Sequence, residues 1–126
     1  MDLGIDGETV TMISFSHELW LHLNNGATLA IGSDLVVDGE LLTEFASSAP
    51  ILLARLHSDL KTAKVSRTGV LTLRFADGAS WVVGPDANYE AWRLMHRGTT
   101  VVSVPGGKVV TWPDGSRYPE NSSPRR

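Results

Sequence analysis

The stretch LWLHLNNGATLAIGSD, residues 19–34, returns 52 residues later as LTLRFADGASWVVGPD, residues 71–86. The two align without a gap. Six of 16 positions are identical: Leu19 with Leu71, Leu21 with Leu73, Gly26 with Gly78, Ala27 with Ala79, Gly32 with Gly84 and Asp34 with Asp86. Average composition gives roughly one identity by chance. A chain that repeats a segment is expected to fold it twice in the same way, which constrains the architecture more than any single motif.

Each copy reads as a β-hairpin. Leu19, Leu21 and Leu23 alternate with Trp20 and His22, and Leu71, Leu73 and Phe75 alternate with Thr72 and Arg74. This period of two marks strands with one face buried. Asn25-Gly26 and Asp77-Gly78 are turn dipeptides because glycine accepts a positive φ. Ala27, Leu29 and Ile31, like Ala79, Trp81 and Val83, then form the returning strands. One further strand precedes each hairpin, at 10–15 and at 63–67. The halves are therefore two β-meanders, at about 9–34 and 62–86. Two unequal copies are too few for a solenoid and imply duplication within one folded unit.

Between them the period changes. Ser48-Ala49-Pro50 supplies a cap residue and a first-turn proline. Leu52, Leu53, Leu56 and Leu60 share a stripe while Arg55, Ser58 and Asp59 face away, which predicts an amphipathic helix over about 48–60. Asp38, Glu40 and Glu44 read as an acidic loop before it. After the second meander, residues 89–95 read as a strand, and 100–104 and 108–112 as a hairpin closed by Pro105-Gly106-Gly107. The Pro-, Ser- and charge-rich residues 113–126 read as a disordered tail. The expected fold is α+β: an antiparallel, strongly curved sheet of about seven strands from two meanders, one helix packed on it, in a single domain over 1–112.

Tyr89-Glu90-Ala91-Trp92, followed by Pro105-Gly106-Gly107, Val110 and Trp112, together with the Leu-x-Leu-x-Phe-x-Asp-Gly hairpin of 71–78, is similar to a small bacterial domain family of unknown function. That family is common in high-GC Gram-positive genomes. The resemblance runs from about Val10 to Trp112, and Thr111 departs from its usual small or apolar residue. It implies a bacterial cytoplasmic domain of mixed α and β structure and brings no activity, catalytic residue or cofactor. Some small domains of this general kind act as immunity partners of toxins, an analogy of scale only.

Several chemistries are excluded or disfavoured. With no cysteine there is no disulfide, thiolate nucleophile or zinc–thiolate site. The net charge of −3 and the lack of a basic window argue against general nucleic-acid binding. Neither a basic leader nor an apolar run of about 20 residues is present, so neither a signal peptide nor a membrane span is expected, and a cytoplasmic location is. Pro105-Gly106-Gly107-Lys108 is not a phosphate loop, since a strand rather than a helix follows it. His17, His22, His57 and His96 show no metal-ligand spacing, and no nucleophile motif such as G-x-S-x-G appears. No catalytic residue, cofactor or metal is therefore assigned.

What remains is surface. Trp20 and His22 alternate against their leucines and should face outward. The repeat places Arg74 at the position of His22, so meanders packed side by side would gather Trp20, His22 and Arg74 into one patch. Glu90 and Trp92 share a parity and would flank a pocket at the open end of the sheet, with Arg93, Arg97 or Arg74 as salt-bridge partners for Glu90. The expected function is a non-enzymatic protein-interaction domain, with a toxin-like protein as partner and neutralisation as its effect. The alternative is a small enzyme or ligand-binding protein with its pocket at Glu90 and Trp92. An exposed sheet edge would allow a homodimer.

Overall fold

The computed structural model describes residues 1–42 and 44–113; residues 114–126, most of the stretch read as a tail, lie outside the described residues. Eleven strands are present among them: β1 (Val10–Phe15), β2 (Leu19–Leu23), β3 (Thr28–Ile31), β4 (Leu35–Val37), β5 (Glu40–Leu42), β6 (Leu60–Val65), β7 (Leu71–Phe75), β8 (Ser80–Val83), β9 (Trp92–His96), β10 (Thr99–Ser103) and β11 (Val109–Pro113). They form two antiparallel sheets, in the orders β1-β2-β3-β9-β10-β11 and β5-β4-β8-β7-β6. The single sheet of about seven strands is thus replaced by two sheets around one core. The strands inferred at 63–67 and 89–95 lie at Leu60–Val65 and Trp92–His96.

The duplication explains this arrangement. Both meanders form, and their hairpin loops carry matching hydrogen bonds. Leu23 N–H donates to the Ala27 carbonyl and Ala27 N–H to Asn25 Oδ1; Phe75 N–H donates to the Ala79 carbonyl and Ala79 N–H to Asp77 Oδ1. Each is a three-residue loop whose last residue, Gly26 or Gly78, takes a φ near +90° to +97°. Each opening strand carries a bulge at the same place: Val10 and Met12 face Leu23 and His22, and Leu60 and Thr62 face Phe75 and Arg74.

Beyond the meanders the halves exchange partners. The β4–β5 hairpin of the first half joins β8 of the second, and the β9–β10 hairpin of the second joins β3 of the first. Leu35 pairs with Val83 as Trp92 pairs with Ile31, and Ile31 and Val83 are repeat equivalents. The structure therefore has an approximate internal dyad. At one end of it Thr9 and Asp59, equivalent residues of the two halves, bridge each other directly, with the Thr9 hydroxyl donating to Asp59 Oδ1 at 2.6 Å. The edges of β1 and β6 meet there: Val10 N–H donates to the Ser58 carbonyl, and Leu60 N–H to the Glu8 carbonyl.

The inward rows of both sheets form one continuous core that includes Leu19, Leu21, Ile31, Leu71, Leu73, Trp81, Val83 and Trp92. Phe75 meets Trp81 edge to face at 5.4 Å between centroids, the geometry that the ring quadrupoles favour.

The helix is much shorter than its stripe suggested. It spans Ala49–Leu53, with Pro50 in its first turn and Ser48 at the cap position without a side-chain capping bond. Only Leu52 reaches the core; Leu53 and Leu56 remain exposed. A helix of this length has little stability of its own. The chain leaves it because strand pairing across the dyad satisfies more backbone: His57 adopts φ +67°, and Ser58 and Leu60 bond to β1 and the residue pair before it. Asp38 and Glu40, read as loop, belong to the β4–β5 hairpin, whose Asp38-Gly39 turn has φ values of +49° and +88°, the two-residue turn that matches strand twist.

Candidate functional site

The outward rows of the six-stranded sheet are built by its register. One row runs Ser14, Trp20, Ala30, Arg93 and Val102 across β1, β2, β3, β9 and β10. The next runs Met12, His22, Thr28, Met95 and Thr100. Trp20 and Arg93 are not on adjacent strands; Ala30 lies between them, and its short side chain lets the guanidinium cross β3. Arg93 accordingly sits over the Trp20 ring, 5.0 Å from its centroid. It is also held by Glu18 through two bonds, Nη1 to Oε2 at 2.8 Å and Nη2 to Oε1 at 3.0 Å. Parallel two-point contact fixes the plane of a guanidinium as well as its position. The result is a rigid outward cluster of Trp20, Arg93 and Glu18. His22 follows on the same strand face, and Met12, 52% exposed, lies beside it on β1.

Arg74 is not part of this surface. It projects outward from β7, in the other sheet, because the meanders pack across the core instead of side by side. The expected patch of Trp20, His22 and Arg74 is therefore two surfaces. Glu90 and Trp92 do not belong to one strand either. β9 starts at Trp92, so strand parity does not extend back to Glu90, a half-buried residue that precedes the strand and makes an interaction of its own. Trp92 points inward, 1% exposed, and its indole N–H donates to the Gly69 carbonyl at 3.2 Å. Its place is structural. Arg93, considered as a partner for Glu90, pairs with Glu18.

A groove of about 310 Å³ lies elsewhere, lined by residues 32–34, Val36, Leu41 and residues 84–86. These are the repeated Gly-x-Asp segments that end the two meanders, brought together by the internal dyad; Ser33 Oγ donates to the Gly84 carbonyl at 3.1 Å. Asp34 and Asp86 face this groove from the two halves, and the Asp86 carboxylate also accepts the N–H groups of Asn88 and Tyr89. Among the described residues no group of three or more His, Asp or Glu is placed to hold a metal ion.

One carboxylate has a displaced acidity. Asp77, in the β7–β8 turn, is held below the usual carboxylate range by the Ala79 N–H and then by Arg55, whose Nη1 lies 2.9 Å from each of its oxygens. Arg55 in turn covers the Phe75 ring at 5.1 Å. This cluster ties the segment after the helix to the second meander and is structural.

The fold and the site define a class: a duplicated, antiparallel β protein of two sheets with an aromatic–guanidinium cluster on one outer face. Residues 1–113 match a family of unknown function, DUF6188, and the chain belongs to it. No curated protein matches the chain, and no solved structure does. No helix among the described residues is long and apolar enough to cross a membrane.

Proposed function

We propose that this chain is a protein-interaction domain whose binding face is the outer surface of the six-stranded sheet, centred on Trp20. The observation that carries the reading is the Trp20–Arg93–Glu18 cluster. Tryptophan and arginine are the side chains that most often dominate interface energetics. Here both are immobilised before any partner arrives, which lowers the ordering cost of association. The internal duplication supplies a control. The position of Trp20 in the other half is occupied by Thr72 and that of Arg93 by Val36, so the fold does not require either residue.

The effect of binding is neutralisation of a toxin-like protein partner. A partner of standard size would cover about 800 Å² on this chain. It would therefore extend from Trp20 over His22 and Met12 towards the β1 edge. The test is affinity capture from the native host with the wild-type chain and with Trp20→Ala, each verified as folded by circular dichroism. A partner captured by the wild type and lost at least tenfold with Trp20→Ala supports the reading. A partner held equally by both, or no protein partner at all, refutes it.

A further inference from the structure

The internal dyad leaves one strand position filled in one half and open in the other. In the second half β10 has β9 on one side and β11 on the other. Its counterpart in the first half is β5, which has β4 on one side and, among the described residues, no strand on the other. The equivalence can be followed residue by residue. Val36 of β4 corresponds to Arg93 of β9. Their hairpin partners are Leu41 and Val102, and Val102 pairs onward with Val110 of β11. With that strand alongside, Val102 is fully buried, whereas Leu41 is 55% exposed.

The backbone of Leu41 is oriented to receive such a strand. A two-residue turn closes on a hydrogen-bonded pair, here Val37 and Glu40, and the next pair in an antiparallel ladder points its N–H and C=O groups away from each other. Val36 thereby faces β8, in keeping with the Asp38 N–H that donates to the Ser80 carbonyl on the same side. Leu41 turns its N–H and C=O to the open edge, and among the described residues neither makes a backbone bond outside the sheet. Its side chain ends an outward row that continues through Val36 and Val82 beside the dyad groove.

The charge around this edge selects the occupant. Residues 32–49 and 76–91 contain no Lys or Arg. Asp34, Asp38, Glu40, Glu44 and Asp86 stand on or near β5 and the groove. A second copy pairing β5 to β5 would bring two such acidic sets together, which like-charge repulsion opposes. We infer that the open edge of β5 accepts an extended, basic segment of a protein partner, antiparallel to β5, with an apolar or β-branched residue paired to Leu41 as Val110 is paired to Val102. This site lies on the other sheet from Trp20 and stands or falls independently of the reading above.

The probe is a synthetic peptide copying residues 107–113, GKVVTWP, which has the required alternation and a lysine. It is titrated into the ¹⁵N-labelled full chain. The expected result is a saturable shift of the Leu41 amide with its hydrogen exchange slowed at least tenfold, and several-fold weaker binding when the peptide lysine is replaced by glutamate. Leu41→Pro removes the outward donor at a position where an edge strand tolerates proline, and should abolish the effect. Should that variant fail to fold, Leu41→Lys keeps the backbone and should weaken binding at least tenfold. The inference is overturned by any of three results: no change at Leu41 up to millimolar peptide; changes centred on Val102, meaning displacement of β11; or self-association that protects Leu41 without peptide.

Discussion

The turn between β6 and β7 touches the turn between β10 and β11, and this contact gives the sharpest test of how the sheets are held at that end. Gly69 has φ +86°, and a Cβ built on it would run into the carbonyl of Gly107. Gly107 has φ +97°, and its own Cβ would lie 2.5 Å from the Thr68 carbonyl oxygen and 3.1 Å from Pro85. Gly78 has the same φ of +97° but open space where a Cβ would go. An alanine at Gly78 therefore costs only the left-handed backbone penalty, about 1–2 kcal/mol. An alanine at Gly69 adds the displacement of a backbone carbonyl that no rotamer change can relieve, about 1–3 kcal/mol more. Gly69→Ala should thus destabilise the chain by roughly 2–5 kcal/mol, against about 1–2 kcal/mol for Gly78→Ala. Urea unfolding followed by tryptophan emission reads the difference. With an m value of about 2 kcal/mol/M, a 2 kcal/mol gap separates the midpoints by about 1 M at unchanged slope. Equal midpoints for the two variants would show that these turns do not meet, and would remove the contact that closes the core beside Trp92.

Further expectations concern the core and the titrating turn. Trp92→Phe should cost about 2–4 kcal/mol in the same melts, because it opens a cavity and leaves the Gly69 carbonyl without its donor; Trp20→Phe, on the outer face, should cost less than about 1 kcal/mol. Because the Asp77 acidity is lowered in the fold, its contribution to stability is present above the unfolded-state pKa, about 3.9, and is lost as the pH falls through the lower folded value. Asp77→Asn should therefore lower Tm at pH 7, and the gap from wild type should shrink progressively below about pH 4; a gap that persists at pH 2 would contradict the assignment.

How much of this was legible beforehand follows from the range of each signal. The meanders, their loops and their inward rows were readable because alternation and a glycine at positive φ are properties of adjacent residues. The β4–β5 hairpin carried a readable sign as well, the Asp38-Gly39 dipeptide between Val37 and Glu40, but strands of three residues are too short to show a period and read as an acidic loop. The stripe of Leu52, Leu53, Leu56 and Leu60 suited a long helix equally well; the pairing of Ser58–Leu60 with Glu8–Val10, which cuts it short, joins positions some 50 apart. Arg93 was legible only as a partner for Glu90, and Glu18 not at all, for the same reason: nothing near Trp20 in the chain indicates which strand will lie beyond β3.

By itself the order of residues determined that this chain makes two like ribbons with apolar inner rows, since each ribbon is specified by neighbours along the backbone. It left open which hairpin each ribbon would recruit. Only the tertiary structure decided that, by trading hairpins across a dyad so that both inner rows close on one core. That exchange set Trp20 under Arg93, sent Arg74 to the other sheet, drew Trp92 inside and left β5 at the edge of its sheet among the described residues.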